Sequence, residues 1–231
     1  MSRKLIALAA LALGACSPGY SYRYRVTVEV DTPQGVKSGS SVWETTSWQG
    51  SGIPDTAIRS KASGEAVAVD LPGGTLFALM RRGSDMNVDY PSGIVYGHLL
   101  VHPQPDVPFS HETNGWTDNV RAIARSRTAF ELYPDEYPLL VRFRDLRDPA
   151  SVEKVDPGDL AASFGPGVRL KRITIAVTSD GVTDGIEKLF PWWDDYRNRH
   201  FDRTSTTSED MTNKGLAAHL SAGDFSTEFN K

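Results

Sequence analysis

Residues 22–31 alternate without a break. Tyr22, Tyr24, Val26, Val28 and Val30 are aromatic or β-branched, and Arg23, Arg25, Thr27, Glu29 and Asp31 between them are polar. A period of two over ten residues is the pattern of a strand with one buried face; a helix would scatter the same side chains around its circumference. Thr32-Pro33-Gln34-Gly35 reads as a turn. Val36 to Thr46 reads as the returning strand, with Val42 and Trp43 its heaviest residues. A second hairpin follows. Glu65 to Leu71 alternates Val67, Val69 and Leu71 with Ala66, Ala68 and Asp70, Pro72-Gly73-Gly74 turns the chain, and Thr75 to Met80 returns. Leu139 to Phe143 is a further strand. Val168 to Thr178 is a long late one, with Ile173, Ile175 and Val177 on one face. The expected fold is therefore α+β: one domain on a largely antiparallel sheet, with short helices towards the C-terminus.

The remaining segments are less regular. Trp48 to Gly52 reads as a loop and Ile53 to Lys61 as an irregular link. Ile94 to Val101 suits either a strand or a short buried helix. His102 to Pro108 carries three prolines and excludes regular structure. Asn119 to Phe130 reads as a helix. Asp156 as cap with Pro157 in the first turn starts another, which runs through Leu160 and ends near Gly165-Pro166-Gly167. Thr183 to Phe190 is a short helix stopped by Pro191. Arg197 to Lys214 is polar and expected to be mobile, and Gly215 to Leu220 makes a last helical turn or two. This divides the chain into residues 22–196, the domain, and 197–231, a polar and partly mobile end.

The start of the chain has a different character. Ser2-Arg3-Lys4 supplies positive charge, and Leu5 to Leu13 is an unbroken run of Leu, Ile and Ala. The run is far shorter than the ~20 apolar residues of a spanning helix, and has the anatomy of a secretory signal. The one cysteine, Cys16, comes directly after Gly14-Ala15. Small side chains before the cut let a peptidase draw the backbone into its cleft, and a thiol is a soft nucleophile able to take a lipid. Leu13, Gly14, Ala15 and Cys16 resemble, position by position, the lipobox of the bacterial lipoprotein family. The resemblance implies a signal peptide over 1–15 and cleavage between Ala15 and Cys16. It implies diacylglycerol on the Cys16 thiol, a second acylation (palmitate) on the freed amine, and a tether over 16–21. One acyl chain holds a membrane only marginally, whereas two or three hold stably. The implied partner is the membrane, through Cys16, and the implied location is the cell envelope at its periplasmic face. Ser17, where Asp would favour inner-membrane retention in the family, tilts this towards the outer membrane.

Three further stretches resemble a set of uncharacterised bacterial proteins of similar length: Ser38 to Val42, Val155 to Lys171 and Gly185 to Trp192. That resemblance implies a single fold over about residues 22–190. It brings no catalytic or binding residues with it.

Charge narrows the partners. With 25 basic against 29 acidic residues the formal charge is −4, which argues against nucleic acid and against broad adhesion to anionic lipid. His98 and His102 stand four apart, the spacing of two metal ligands on one helical face, with His111-Glu112 nearby. No acidic residue lies between them, Gly97 weakens a helix there and Pro103 ends it, so no metal and no cofactor is expected. Ser151-x-x-Lys154 has the spacing of penicillin-binding enzymes without their companion elements, and is set aside. Trp192-Trp193-Asp194-Asp195-Tyr196 is either a partner-binding edge or a plug over the open face of a sheet; large aromatics most often serve cores. Asp70 reads as a turn-side hydrogen-bonding residue. Tyr20, Tyr22 and Tyr24 lie near the anchor, but alternation explains them. The expected function is a non-enzymatic binding or accessory module of the envelope, with Trp192 and Trp193 as a partner surface. The alternative is an envelope enzyme, such as a hydrolase, with its site near His98, His102 and His111.

Overall fold

The structure, a computed structural model, describes residues 19–50, 57–83, 90–110, 112, 115–196, 199–203 and 215–227. The signal peptide expected over 1–15, the cleavage site expected at Ala15, the lipid site expected at Cys16 and His111 lie outside the described residues.

Two antiparallel sheets form the fold, consistent with α+β. The first has the order β3-β2-β1-β9-β6, built from β1 (Tyr20–Thr32), β2 (Gly35–Gln49), β3 (Ile58–Ser63), β6 (Ala129–Glu131) and β9 (Arg169–Thr178). The second has the order β4-β5-β7-β8, from β4 (Val67–Leu71), β5 (Gly74–Ala78), β7 (Leu140–Phe143) and β8 (Val152–Lys154). The alternating stretch is the central strand of the first sheet. It pairs with β2 from Tyr20↔Ser47 to Thr32↔Gly35, and with β9 on its other side. The Thr32 hydroxyl closes the hairpin by donating to the Gly35 carbonyl at 2.7 Å. On the outer face Glu29 meets Arg172 at 2.9 Å and Lys171 at 3.2 Å. Arg172 first, then Lys171, hold its carboxyl below the usual range.

The inner face of β1, Tyr22 to Val30, is covered in two parts. At the Tyr22 end lie α1 (Tyr90–Val101) and α2 (Trp116–Arg125). The Tyr24 hydroxyl donates to the Pro91 carbonyl, and so does Thr45 at 3.1 Å. At the Val30 end the second sheet crosses over. A Cβ on Gly39 would stand 1.9 Å from the Ala68 carbonyl oxygen, so β4 can cross β2 there only against a glycine.

The second sheet is buried on both faces. Val67, Val69, Leu76 and Leu140 face the first sheet's core. Phe77, Val141, Phe143 and Val152 face a second core closed by Ile186, Phe190, Trp192, Trp193, Phe201 and Phe225. The molecule is thus layered: first sheet, second sheet, then the late chain.

Several expectations change. Residues 58–63 are an edge strand on β2, which Arg59 and Lys61 blunt with charge; its exposed face carries no alternation to read. The ambiguous 94–101 stretch is helical. The helix expected over 119–130 covers 116–125 and stops at Ser126, because Ala129 to Glu131 pair with the edge of β9 instead. The helix expected from Asp156 begins later, as α3 (Leu160–Phe164). Its cap is Asp159, accepting from Ala162 N–H at 3.2 Å, while Asp156 accepts from Gly158 N–H in the preceding turn. Residues 186–189 form a single 3₁₀ turn. In the stretch expected to be polar and mobile, Phe201 is 1% exposed and its N–H donates to Leu220 at 3.0 Å. Residues 197–198 and 204–214 of that stretch lie outside the described residues. Among the described residues no helix is long and apolar enough to cross a membrane.

Candidate functional site

Three open spaces among the described residues border α1. Tyr90, Ile94 and His98, with Pro91, Val95 and Leu99, repeat at helical spacing and face inwards. Gly93 and Gly97 fall on the exposed side.

One flank of α1 borders a groove of about 830 Å³ whose far wall is the turn Tyr133-Pro134-Asp135-Glu136. His98 and His102 both line it, as their spacing suggested, and Arg82 stands at its mouth. His98 is held through Nδ1 and through its ring. Its Nδ1 lies 2.9 and 3.0 Å from the two Glu136 carboxylate oxygens. Its ring stacks on Phe130 with centroids 3.8 Å apart and planes 7° from parallel. His102 lies 4.9 Å from the His98 ring and 4.7 Å from the Tyr133 ring. Glu136 is engaged twice over, since its carboxylate also accepts from the Tyr133 N–H at 2.9 Å. The Tyr90 hydroxyl donates to the Glu136 carbonyl at 2.8 Å. Burial first, and the Glu136 charge second, raise the Tyr90 pKa well above that of a free phenol.

A carboxylate on Nδ1 fixes an imidazole's orientation and tautomer, as in a catalytic pair. Here the His98 side chain is only 3% exposed, so the pair braces the groove wall from behind. Among the described residues no serine, threonine or cysteine lines the groove. Among the described residues no three His, Cys, Asp or Glu side chains converge to hold a metal ion. Glu112 is exposed and lines no part of this groove. Sequence reading missed Glu136, Tyr133 and Phe130, which lie more than 25 residues from His98 and carry no local signal of the contact.

The other singled-out residues have structural places. Trp192 and Trp193 are each 6% exposed inside the second core, and Trp192 Nε1 donates to the Leu146 carbonyl at 2.7 Å. The partner surface expected at Trp192 and Trp193 is therefore corrected: both plug the face of the second sheet, where burying aromatic area outweighs exposing it. The Ser151 hydroxyl is tied into its own turn, 2.6 Å from the Asp148 carbonyl and 2.9 Å from that of Asp145. Asp70 accepts from the Thr75 hydroxyl across the hairpin at 3.0 Å. Comparison of the chain with protein-family models, with curated proteins and with solved structures finds no match, so the geometry of α1 and its flanks has to carry the functional reading.

Proposed function

We propose that the chain is a lipoprotein of the bacterial envelope, anchored through acyl groups on Cys16, whose mature domain is a non-enzymatic binding module. The lipobox supports the anchor. The observation that carries the binding reading is the His98–Glu136 pair. The most reactive-looking group in the groove beside α1 is buried, stacked and bonded, so the groove offers a rigid, partly aromatic wall and, among the described residues, no placed nucleophile. Tyr133, 50% exposed, and His102 give that wall flat faces on which a ligand can stack.

A Cys16→Ser chain tests the anchor. It should lose labelling by radioactive palmitate and leave the membrane fraction or stall as precursor. Unchanged labelling and fractionation would remove the proposal. A hydrolase is the second reading, favoured by the same carboxylate–imidazole pair, and it requires a His98 ring that a substrate in the groove can reach.

A further inference from the structure

The opposite flank of α1 holds a second cavity, of about 350 Å³, between that helix, α2 and the end of the first sheet. Its walls are mostly carbon: Tyr22 on the sheet, Tyr96 on α1, Trp116 and Val120 on α2, and Ile58 on the edge strand. Tyr22 and Val120 are buried and Ile58 is 48% exposed, so the cavity runs inwards from the Ile58 side. There it continues into an open groove of about 530 Å³ past Trp48 and Arg59.

Two features set this cavity apart from a packing defect. Gly93 and Gly97 line it, on the ridge it shares with the first groove, and a Cβ on either would meet nothing within 4 Å. Glycine weakens a helix interior, and here no close approach or turn requires it; the effect of both is to keep the space open. Second, the Tyr22 hydroxyl is buried and makes no hydrogen bond of ordinary geometry, although Thr45 is its neighbour. Tyr96, by contrast, accepts from Asn119 at 3.0 Å.

The position of the cavity argues for its occupant. Tyr22 is the third residue of β1, and Tyr20 packs edge-on against Trp116 with centroids 5.7 Å apart. Three residues separate Cys16 from Tyr20, a reach of at most roughly 14 Å between their Cα atoms. A chain lipidated at Cys16 therefore holds this end of the sheet against the bilayer. Tyr20, Trp48 and Trp116 at that end are the residue types that settle at a membrane interface.

We propose that the cavity between α1, α2 and the first sheet takes one acyl chain of a bilayer phospholipid, which enters past Ile58 and lays its tail against Tyr22, Trp116 and Val120. The proposal rests on the lipoprotein reading for its orientation.

The test uses the full lipidated chain in vesicles of phosphatidylcholine brominated along its acyl chains, with tryptophan emission as readout. The share of Trp116 is the part of the emission that a Trp116→Phe chain lacks. Trp116 emission should fall at least twofold against unbrominated vesicles. Gly97→Leu, or Gly93→Leu if the first variant melts earlier than wild type, fills the cavity and should restore it. Unquenched Trp116, in protein that still floats with the vesicles, would overturn the proposal while leaving the anchor standing; it is also the outcome if a Cys16 chain occupies the cavity. Quenching that persists in both glycine variants would overturn it too, since Trp116 would then merely dip into the bilayer. Protein that fails to float instead removes the lipoprotein reading.

Discussion

At the scale of single residues, His98 and His102 separate two roles that their spacing alone joins. Both lie on one flank of α1, but only His102 keeps an accessible ring. Diethyl pyrocarbonate acylates neutral, accessible imidazoles. In the folded chain His102 should therefore react at least tenfold faster than His98, read by tandem mass spectrometry of the peptide containing both. Equal rates would mean that reagents reach the His98 ring, and the hydrolase reading would displace the binding one. Neither the burial of His98 nor its bond to Glu136 was legible in the sequence. Helical spacing places two histidines on a face, but it does not say what lies opposite. Gly39 makes the same point. Within an alternating strand it reads as a weak position, yet its lack of a side chain is what admits the Ala68 carbonyl.

Among elements, the late chain shows how a short polar-looking segment becomes structural. Residues 215–227 contain two 3₁₀ turns, and no residue there repeats with a helical or strand period. They are held by an ion pair between Arg81, after β5, and Asp224, at 2.8 Å with side chains 6% and 13% exposed. Arg81 also donates to the His219 carbonyl at 3.0 Å. Removing one partner leaves the other buried and charged, at a cost of roughly 3–5 kcal/mol. Arg81→Ala should lower the unfolding free energy by about 3 kcal/mol in urea titration, and Arg81→Ala with Asp224→Leu should recover part of that loss. A loss below about 1 kcal/mol would show that the clasp is solvated and contributes little. Of the elements that sequence reading located well, β1, β4 and β9 carry their own period, and β2 and β5 follow from the turns that precede them. β3, β6 and β8 are edge strands or three-residue pairings whose existence depends on a neighbour's free edge.

For the whole molecule, the layered arrangement predicts where protection from exchange ends. The N–H of Ala66 bonds to Phe225 at 2.7 Å and that of Met80 to Asp224 at 3.3 Å, which stitches the late chain to the second sheet, and the N–H of Phe201 bonds to Leu220 within the late chain. Amides of Phe201 and Ala66 should exchange slowly, within about tenfold of those of Val26 and Ile175; fast exchange at Phe201 beside a protected β1 would make the third layer a loosely docked flap. The sequence by itself determined the antiparallel hairpins and the inward face of β1 and β9, because a period of two is a local property of the backbone. It also determined the lipobox pattern, since that too is a contiguous run. Only the tertiary structure decided that the second sheet is buried on both faces and that Trp192 and Trp193 belong to its core. The pairing of His98 with Glu136 and the open space beside α1 were decided there as well. Each of these joins segments tens of residues apart, and what joins them is the burial of area and the pairing of polar groups across the fold, neither of which leaves a period in the chain.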